Sequence, residues 1–124
     1  MELLRKSKLI RLKRKSLGNR ALTKEIDALI KVIENSNWSN KQEVLQARPD
    51  ADCVHSDGYY FFNMNVHRTM VLIEFALDLD DEEGDEENGG AEVIWVGSHD
   101  EYEKKFKNNK STIEKWLRTQ GRIQ

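Results

Sequence analysis

Two side chains that can transfer protons, His99 and Tyr102, lie three residues apart just after an apolar stretch at residues 93–96. The stretch indicates a buried strand, and residues three apart on a following helix share one face. A strand that runs directly into a helix would hold both side chains on a rigid corner, where they could act as acid and base. A simpler interpretation leaves His99 in solvent and places Tyr102 against Phe106 in the core.

The same corner carries the sequence pattern of a helix start. Ser98 and Glu101 form a Ser-x-x-Glu capping box. In this motif the serine oxygen accepts a backbone N–H of the first helical turn, and the glutamate accepts the N–H of the serine. We therefore expect Ser98 and Glu101 to build the corner, whereas His99 and Tyr102 use it.

Three cations could join this corner at one edge of a sheet. Arg68 precedes a mostly apolar segment at residues 69–75, and Lys104 and Lys105 follow Tyr102. The set suits cleavage of an RNA phosphodiester, because RNA carries its own nucleophile, the 2′-OH. The protein then supplies a base, an acid and cations for the charge that grows on phosphorus. The ordinary interpretation makes Arg68 a surface charge and the two lysines a solvated helix face.

Charge is distributed unevenly along the chain. Of the 124 residues, the first 48 carry twelve lysines and arginines against five acids, and residues 104–122 carry seven against Glu114 alone. Eight acids and no base lie between Asp78 and Glu87, and without them the formal net charge would change from −2 to +6. A basic domain favours a polyanionic partner, above all nucleic acid. The acidic segment could cover the basic surface and weaken nonspecific RNA binding, or it could be only a solubilising loop.

Composition limits the other classes of function. No run in the sequence reaches the roughly 18 apolar residues of a membrane span, and the N-terminus lacks the apolar core of a signal peptide. Cys53 is the only cysteine, which fits a reducing cytoplasm, and its spacing from the histidines matches no familiar metal site. We therefore expect a cytoplasmic protein that needs no metal or other cofactor and contacts no membrane.

The remaining patterns indicate which elements hold the corner. Helices are expected at about residues 6–17, where Leu17 is available to pack, and at 22–35, with Gly18-Asn19 between them. The other expected elements are strands at 51–55, 59–64, 69–75 and 92–96, a loop around Asn65-Val66-His67, an acidic flexible loop at 78–90 and a C-terminal helical extension at 107–124. This order predicts one α+β domain over residues 1–124, in which two N-terminal helices pack on a small antiparallel β-sheet.

An ordered set of short segments extends well beyond the corner. Its members are Trp38, Lys41-Gln42-Glu43-Val44-Leu45, Pro49-Asp50-Ala51-Asp52, Tyr60-Phe61-Phe62-Asn63, Arg68 and the run from Val93 to Tyr102. Over about residues 1–106, the chain thereby resembles the HigB toxins of bacterial type II toxin-antitoxin systems, within the RelE superfamily. The resemblance implies a RelE-like fold and a ribosome-dependent mRNA endonuclease that inhibits translation. It also implies a HigA-like antitoxin with a helix-turn-helix domain, so that operator DNA is contacted only through the antitoxin.

Carried over residue by residue, the resemblance makes His99 and Tyr102 the leading active-site candidates and Arg68 the cation that contacts phosphate. The basic residues between 6 and 20 match no catalytic element, and we assign them a contact with the backbone of ribosomal RNA. Further candidates for binding RNA or phosphate are Lys104, Lys105 and His67, and the residues expected to be structural at the site are Ser98, Glu101 and Asn63.

This chain departs from related sequences in two places. Related chains commonly have Gly-Gly-Asn before the arginine, whereas this one has Asn65-Val66-His67, and His67 could add a proton carrier or simply point into solvent. Related chains also connect the last strands briefly, without an acidic loop. The altered turn keeps a second function open, a non-catalytic ribosome- or RNA-binding protein on the same fold. A basic DNA-binding module is a weaker third interpretation, because no DNA-reading motif stands out.

Overall fold

Helices pack on both faces of the main β-sheet. The structure, a computed structural model, describes residues 1–78, 86–87 and 89–124. Its strands are β1 (Glu2–Leu4), β2 (Asp52–His55), β3 (Tyr59–Met64), β4 (His67–Glu74), β5 (Leu77–Asp78), β6 (Glu86–Glu87) and β7 (Gly90–Ser98). Its helices are α1 (Ser7–Lys15), α2 (Arg20–Glu34), α3 (Lys41–Ala47), α4 (His99–Phe106) and α5 (Lys110–Thr119).

The main sheet joins strands from distant parts of the chain. Within the described residues its order is β1-β7-β4-β3-β2. Strands β7, β4, β3 and β2 pair antiparallel, but β1 runs parallel to β7, with Leu3 opposite Ala91. The sheet is therefore mixed, and the prediction of an antiparallel sheet is wrong at this edge. The sequence did not predict β1, because three residues are too few to show an alternation of apolar and polar side chains. The partner of β1 is also distant in sequence.

The side chains of β3 alternate between two apolar cores. Tyr60, Phe62 and Met64 pack with the buried residues of α1 and α2, whereas Tyr59 and Phe61 pack with those of α4 and α5. Neighbouring side chains on a strand point to opposite faces. A strand that is covered on both faces therefore needs no polar positions, which explains the continuous aromatic run.

The two N-terminal helices differ in how well they follow the sequence pattern. The buried residues of α2 repeat with helical spacing and are Leu22, Ile26, Leu29, Ile30 and Ile33. The side chain of Asn19 caps this helix by accepting the N–H of Leu22 at 3.1 Å. α1 ends at Lys15, and Leu17 is 70% exposed in the turn that follows. The expectation that Leu17 packs against the core is wrong. Because α1 ends at Lys15, Leu17 does not lie on the buried face of this helix.

Two connections also differ from the expected ones. His67 belongs to β4, so the turn after β3 is only Asn65 and Val66, and Asn65 adopts the left-handed conformation (φ 58°) that suits a tight hairpin. At the described ends of the acidic segment, β5 pairs with β6. Residues 79–85 and 88, on which the prediction of an acidic flexible loop mainly falls, lie outside the described residues.

The C-terminal part of the chain contains two separate helices. α4 ends at Phe106 and α5 begins at Lys110. Both helices cover the face of the sheet opposite α1 and α2. Among the described residues, no helix is long and apolar enough to cross a membrane.

A cluster of three charges ties both ends of the chain to β7. The carboxylate of Glu92 accepts hydrogen bonds from both terminal nitrogens of Arg122, at 3.2 and 3.1 Å. It also pairs with Nε of Arg5 at 2.9 Å. Arg5 follows β1 and Arg122 follows α5, so one half-buried carboxylate of the central region holds two peripheral segments in place.

We expect Glu92→Gln to lower the free energy of unfolding by about 1–2 kcal/mol, because it removes the charge of a carboxylate that is only 19% exposed and pairs with two arginines. The midpoint of urea unfolding measures this change. Glu114→Gln is the matched control, since the Glu114 carboxylate lies 3.9 Å from Arg118 on an exposed helix face and should contribute almost nothing. Equal midpoints for the two variants would contradict the role of the cluster.

Candidate active site

The corner between β7 and α4 has the local structure that its sequence predicts. Ser98 Oγ accepts the N–H of Glu101 at 3.1 Å, and the Glu101 carboxylate accepts the N–H of Ser98 at 3.0 Å. The capping box is thus confirmed. Hydrogen bonds from Ser98 lower the pKa of Glu101, and the charges of His67 and Lys104 act in the same direction. Glu101 therefore stays ionised as part of the scaffold.

The turn between β3 and β4 is fastened to this corner. The backbone N–H of His99 donates to the carbonyl of Val66 at 2.8 Å. The imidazole of His99 is exposed, and its ring centroid lies 6.0 Å from that of Tyr102 in an edge-to-face arrangement. Val66 itself is 59% exposed. A histidine in this position is open to solvent and can exchange protons with a bound molecule.

Arg68 lies beside Tyr102, although the two residues are on different elements. In the sheet, Arg68 is paired with Asn63 on one side and with Gly97 on the other. Its guanidinium carbon lies 4.4 Å from the centre of the Tyr102 ring, a cation–π contact that holds the group in a fixed orientation. Arg68 Nε is buried and has no hydrogen-bond partner among the described residues. The terminal nitrogens of this partly exposed side chain also donate no hydrogen bond to the described residues, and they are the donors that an anion could reach.

Tyr102 is part of the core as well as of this cluster. Its side chain is only 1% exposed, and its ring packs edge-on against Phe61, with centroids 5.0 Å apart. The hydroxyl donates to Oδ1 of Asn108 at 2.9 Å. Burial raises the pKa of Tyr102, the charge of Arg68 partly opposes this, and the charge of Asp52 adds to it. The hydroxyl is therefore protonated near neutral pH.

These placements combine the two interpretations of the corner. His99 is in solvent and Tyr102 is in the core with Phe106, as the simpler interpretation holds. Both residues nevertheless remain neighbours, and Arg68 covers the Tyr102 ring. The arrangement provides one exposed proton carrier beside one oriented cation.

The other candidates for binding RNA, which are Lys105, Lys104 and His67, have different surroundings. Lys105 Nζ lies 5.3 Å from the centre of the Trp116 ring, so its charge is directed toward α5. Lys104 is exposed, and its charge acts on Glu101. His67 precedes Arg68 on β4, and its side chain therefore points to the opposite face of the sheet. Nδ1 of His67 is buried without a hydrogen-bond partner in the described part of the chain.

Asn63 is held opposite Arg68 by an ion pair on the preceding loop. Arg48 donates two hydrogen bonds to the carboxylate of Asp50, at 2.7 and 2.9 Å. Asp50 accepts the N–H of Asn63 at 2.9 Å, and Arg48 donates to the Asn63 carbonyl at 3.0 Å. Burial alone would raise the pKa of Asp50, but the hydrogen bonds from Arg48 and Asn63 lower it. The end of β3 is thereby fixed through its backbone.

Sequence reasoning missed two residues of the cluster. Asp52 on β2 is paired with Phe61, which brings its carboxylate to the side of Tyr102. The resemblance includes Asp52 in a segment but assigns it no role. Asn108 falls in the predicted C-terminal helical extension, and nothing in its spacing indicates a bond to Tyr102. Within the described ranges, no three His, Cys, Asp or Glu side chains are grouped as ligands of a metal ion.

The fold is that of a small α+β protein and is consistent with the RelE-like type. A family model described as HigB_toxin, the RelE-like toxic component of a toxin-antitoxin system, matches residues 22–105. The chain belongs to this family. The match includes Arg68, His99 and Tyr102, but it leaves out β1, α1 and α5 and is thus shorter than the resemblance over about residues 1–106. No curated protein matches the chain.

Proposed function

We propose that this toxin is an endoribonuclease that cuts mRNA on the translating ribosome. The observation that carries the proposal is the contact of Arg68 with Tyr102 directly beside the exposed ring of His99. An oriented guanidinium matches a phosphate, and an imidazole can transfer a proton at neutral pH. The family gives the class of protein, and this cluster supports the reaction.

The proposed cleavage uses the 2′-OH of the substrate as the nucleophile. The bond from the 2′-oxygen to phosphorus forms as the bond from phosphorus to the 5′-oxygen breaks, so the 2′-OH loses a proton and the leaving 5′-oxygen gains one. His99 transfers one of these protons and water transfers the other, while Arg68 stabilises the charge that develops on the phosphate oxygens. The resemblance gives Tyr102 a place in the active site. Its burial, and the commitment of its hydroxyl proton to Asn108, favour a role as the support of Arg68. The reaction proposed here requires no metal or organic cofactor.

The proposed ribosomal contact uses the cations of the N-terminal helices. Lys13 and Lys6 pair with acids of α2, whereas other bases are exposed and have no ion pair among the described residues; these are Arg11, Arg14, Lys15, Arg20 and Lys24. A surface of this kind binds the phosphate backbone without reading sequence. Ribosomal RNA is the polyanion that fits an enzyme acting on translated messages.

A toxin of this family implies an antitoxin partner. We propose that the partner is a HigA-like protein whose helix-turn-helix domain binds operator DNA, so that the toxin reaches DNA only through it. Both proteins would act in the bacterial cytoplasm, where mRNA and ribosomes are found.

Mapping of mRNA 5′ ends in a translating bacterial extract tests the proposal. We expect new 5′ ends with the wild-type protein and about a hundredfold fewer with His99→Ala, since general acid-base catalysis contributes at least this much. His55→Ala is the matched control, because His55 lies at the far end of β2 and bonds locally to Asp57. Unchanged cleavage by His99→Ala would remove this residue from the mechanism.

A second candidate function is a ribosome- or RNA-binding protein without catalytic activity. The buried hydroxyl of Tyr102 favours it, because a proton bonded to Asn108 is not available to RNA. The same extract separates the two functions. Co-sedimentation with ribosomes without new 5′ ends would favour the binding protein.

A further inference from the structure

We propose that Asn108 is a positioning residue that fixes the Tyr102 hydroxyl and, through the Tyr102 ring, the guanidinium of Arg68. The proposal rests on the function proposed above, since it concerns the same site. Position 108 lies beyond residues 22–105, the part of the chain that the family model matches. The contact therefore adds a residue to the site from the segment that follows the matched region.

The first argument is the geometry of the chain of contacts. Asn108 Oδ1 accepts the Tyr102 hydroxyl proton at 2.9 Å, and the Arg68 guanidinium carbon lies 4.4 Å from the centre of the Tyr102 ring. Phe61 and Phe106 flank the same ring, with centroids at 5.0 and 5.8 Å. The two phenylalanine rings fix the orientation of the Tyr102 ring, and the bond to Asn108 fixes the position of the Tyr102 hydroxyl.

The second argument is the conformation that delivers the Asn108 side chain. Lys107 and Asn108 are both in the left-handed region, with φ of 54° and 48°. Residues other than glycine adopt this region at an energetic cost, which asparagine tolerates better than most. The next residue, Asn109, then caps α5 by accepting the N–H of Thr112. Two residues in this conformation turn the chain sharply after α4 and bring the Asn108 amide back to Tyr102.

The third argument is electrostatic. A hydrogen bond to the neutral phenol disfavours its ionisation, in the same direction as burial of Tyr102. The bond to Asn108 should therefore raise the pKa of Tyr102 further, so that its loss is visible in the titration of this phenol.

Absorbance titration of the phenols in the full-length protein tests the contact. The Tyr102 transition is identified as the one that Tyr102→Phe removes. We expect Asn108→Gly, which suits the left-handed backbone, to lower the pKa of Tyr102, and Asn108→Asp to raise it by adding a negative charge. Lys107→Gly changes the same turn without touching Tyr102 and should leave the transition in place. An unmoved transition in Asn108→Gly, or an equal shift in Lys107→Gly, would overturn the proposal.

Cleavage assays then test whether Asn108 acts through Tyr102. We expect Asn108→Gly and Tyr102→Phe each to lower the cleavage rate by roughly tenfold, as loss of a supporting hydrogen bond does at other sites. The double variant should show no further fall, because the two changes break the same contact. A cleavage rate that is roughly a hundredfold lower in the double variant would mean that the two changes act independently, and it would refute a shared role of Asn108 and Tyr102. A wild-type protein without cleavage would instead reject the proposed function, while the titration would still decide whether Asn108 holds the phenol.

Discussion

Replacement of Arg68 by methionine is expected to lower the rate of mRNA cleavage by about 10²–10³-fold, the usual effect of removing one group that stabilises transition-state charge. Methionine preserves much of the side-chain length and can still cover the Tyr102 ring, so we expect the fold to be retained. The rate is measured from the appearance of cut message in the translating extract. Circular dichroism and urea unfolding verify that the variant is folded.

Two further arginine variants make this test specific. Arg68→Lys keeps the charge but loses the planar group that stacks on Tyr102 and can bind a phosphate through two nitrogens. We expect it to regain only a small part of the activity. Arg118→Met removes an exposed arginine of α5 that pairs with Glu114, and this variant should cleave mRNA at the wild-type rate. Wild-type cleavage by Arg68→Met would mean that phosphate is bound elsewhere.

Gly97→Ala is expected to destabilise the protein by about 1–3 kcal/mol, because an added methyl group would overpack the aromatic cluster beneath α4. A Cβ at this position would lie 2.5 and 2.6 Å from two atoms of the Trp95 indole ring. Trp95 cannot move freely, since its ring contacts Phe106, with centroids 5.1 Å apart. Gly97 is also paired with Arg68, so the displaced indole should lower cleavage as well. Urea unfolding measures the loss of stability.

Gly90→Ala is the control in the same strand, because no atom of the described residues, apart from its two chain neighbours, lies within 4 Å of a Cβ placed there. We expect it to leave stability almost unchanged. Trp95→Leu should relieve the clash, so that Gly97→Ala costs much less in this background than in the wild type. An equal cost in both backgrounds would show that the indole ring is not what excludes a side chain at Gly97.

The parts of the site that sequence predicted are those specified by local interactions. Ser98 and Glu101 bond to each other within one helical turn, so their types and spacing were sufficient. The spacing of His99 and Tyr102 correctly placed them as neighbours. α2 was predictable because its apolar residues repeat along one helix face.

The parts that sequence missed depend on contacts between distant or irregular segments. The contact of Arg68 with Tyr102 requires β4 and β7 to pair in one register; the sequence placed both residues at one edge of a sheet but did not specify this register. The bond from Tyr102 to Asn108 depends on two left-handed residues that no periodic pattern indicates. The proposed cover of the basic surface by the acidic segment remains a prediction, since most of that segment lies outside the described residues.

The parallel pairing of β1 with β7 has a consequence for how the protein folds during its own synthesis. Residues 2–4 have no partner in the sheet until residues 90–92 have been made. Chains emerge from the ribosome N-terminus first, and contacts between distant residues form late. His99, Tyr102 and Asn108 are synthesised later still. The candidate active site therefore cannot be assembled until residues near position 108 have been made. An antitoxin that binds at that moment would act before the cleavage proposed above could begin.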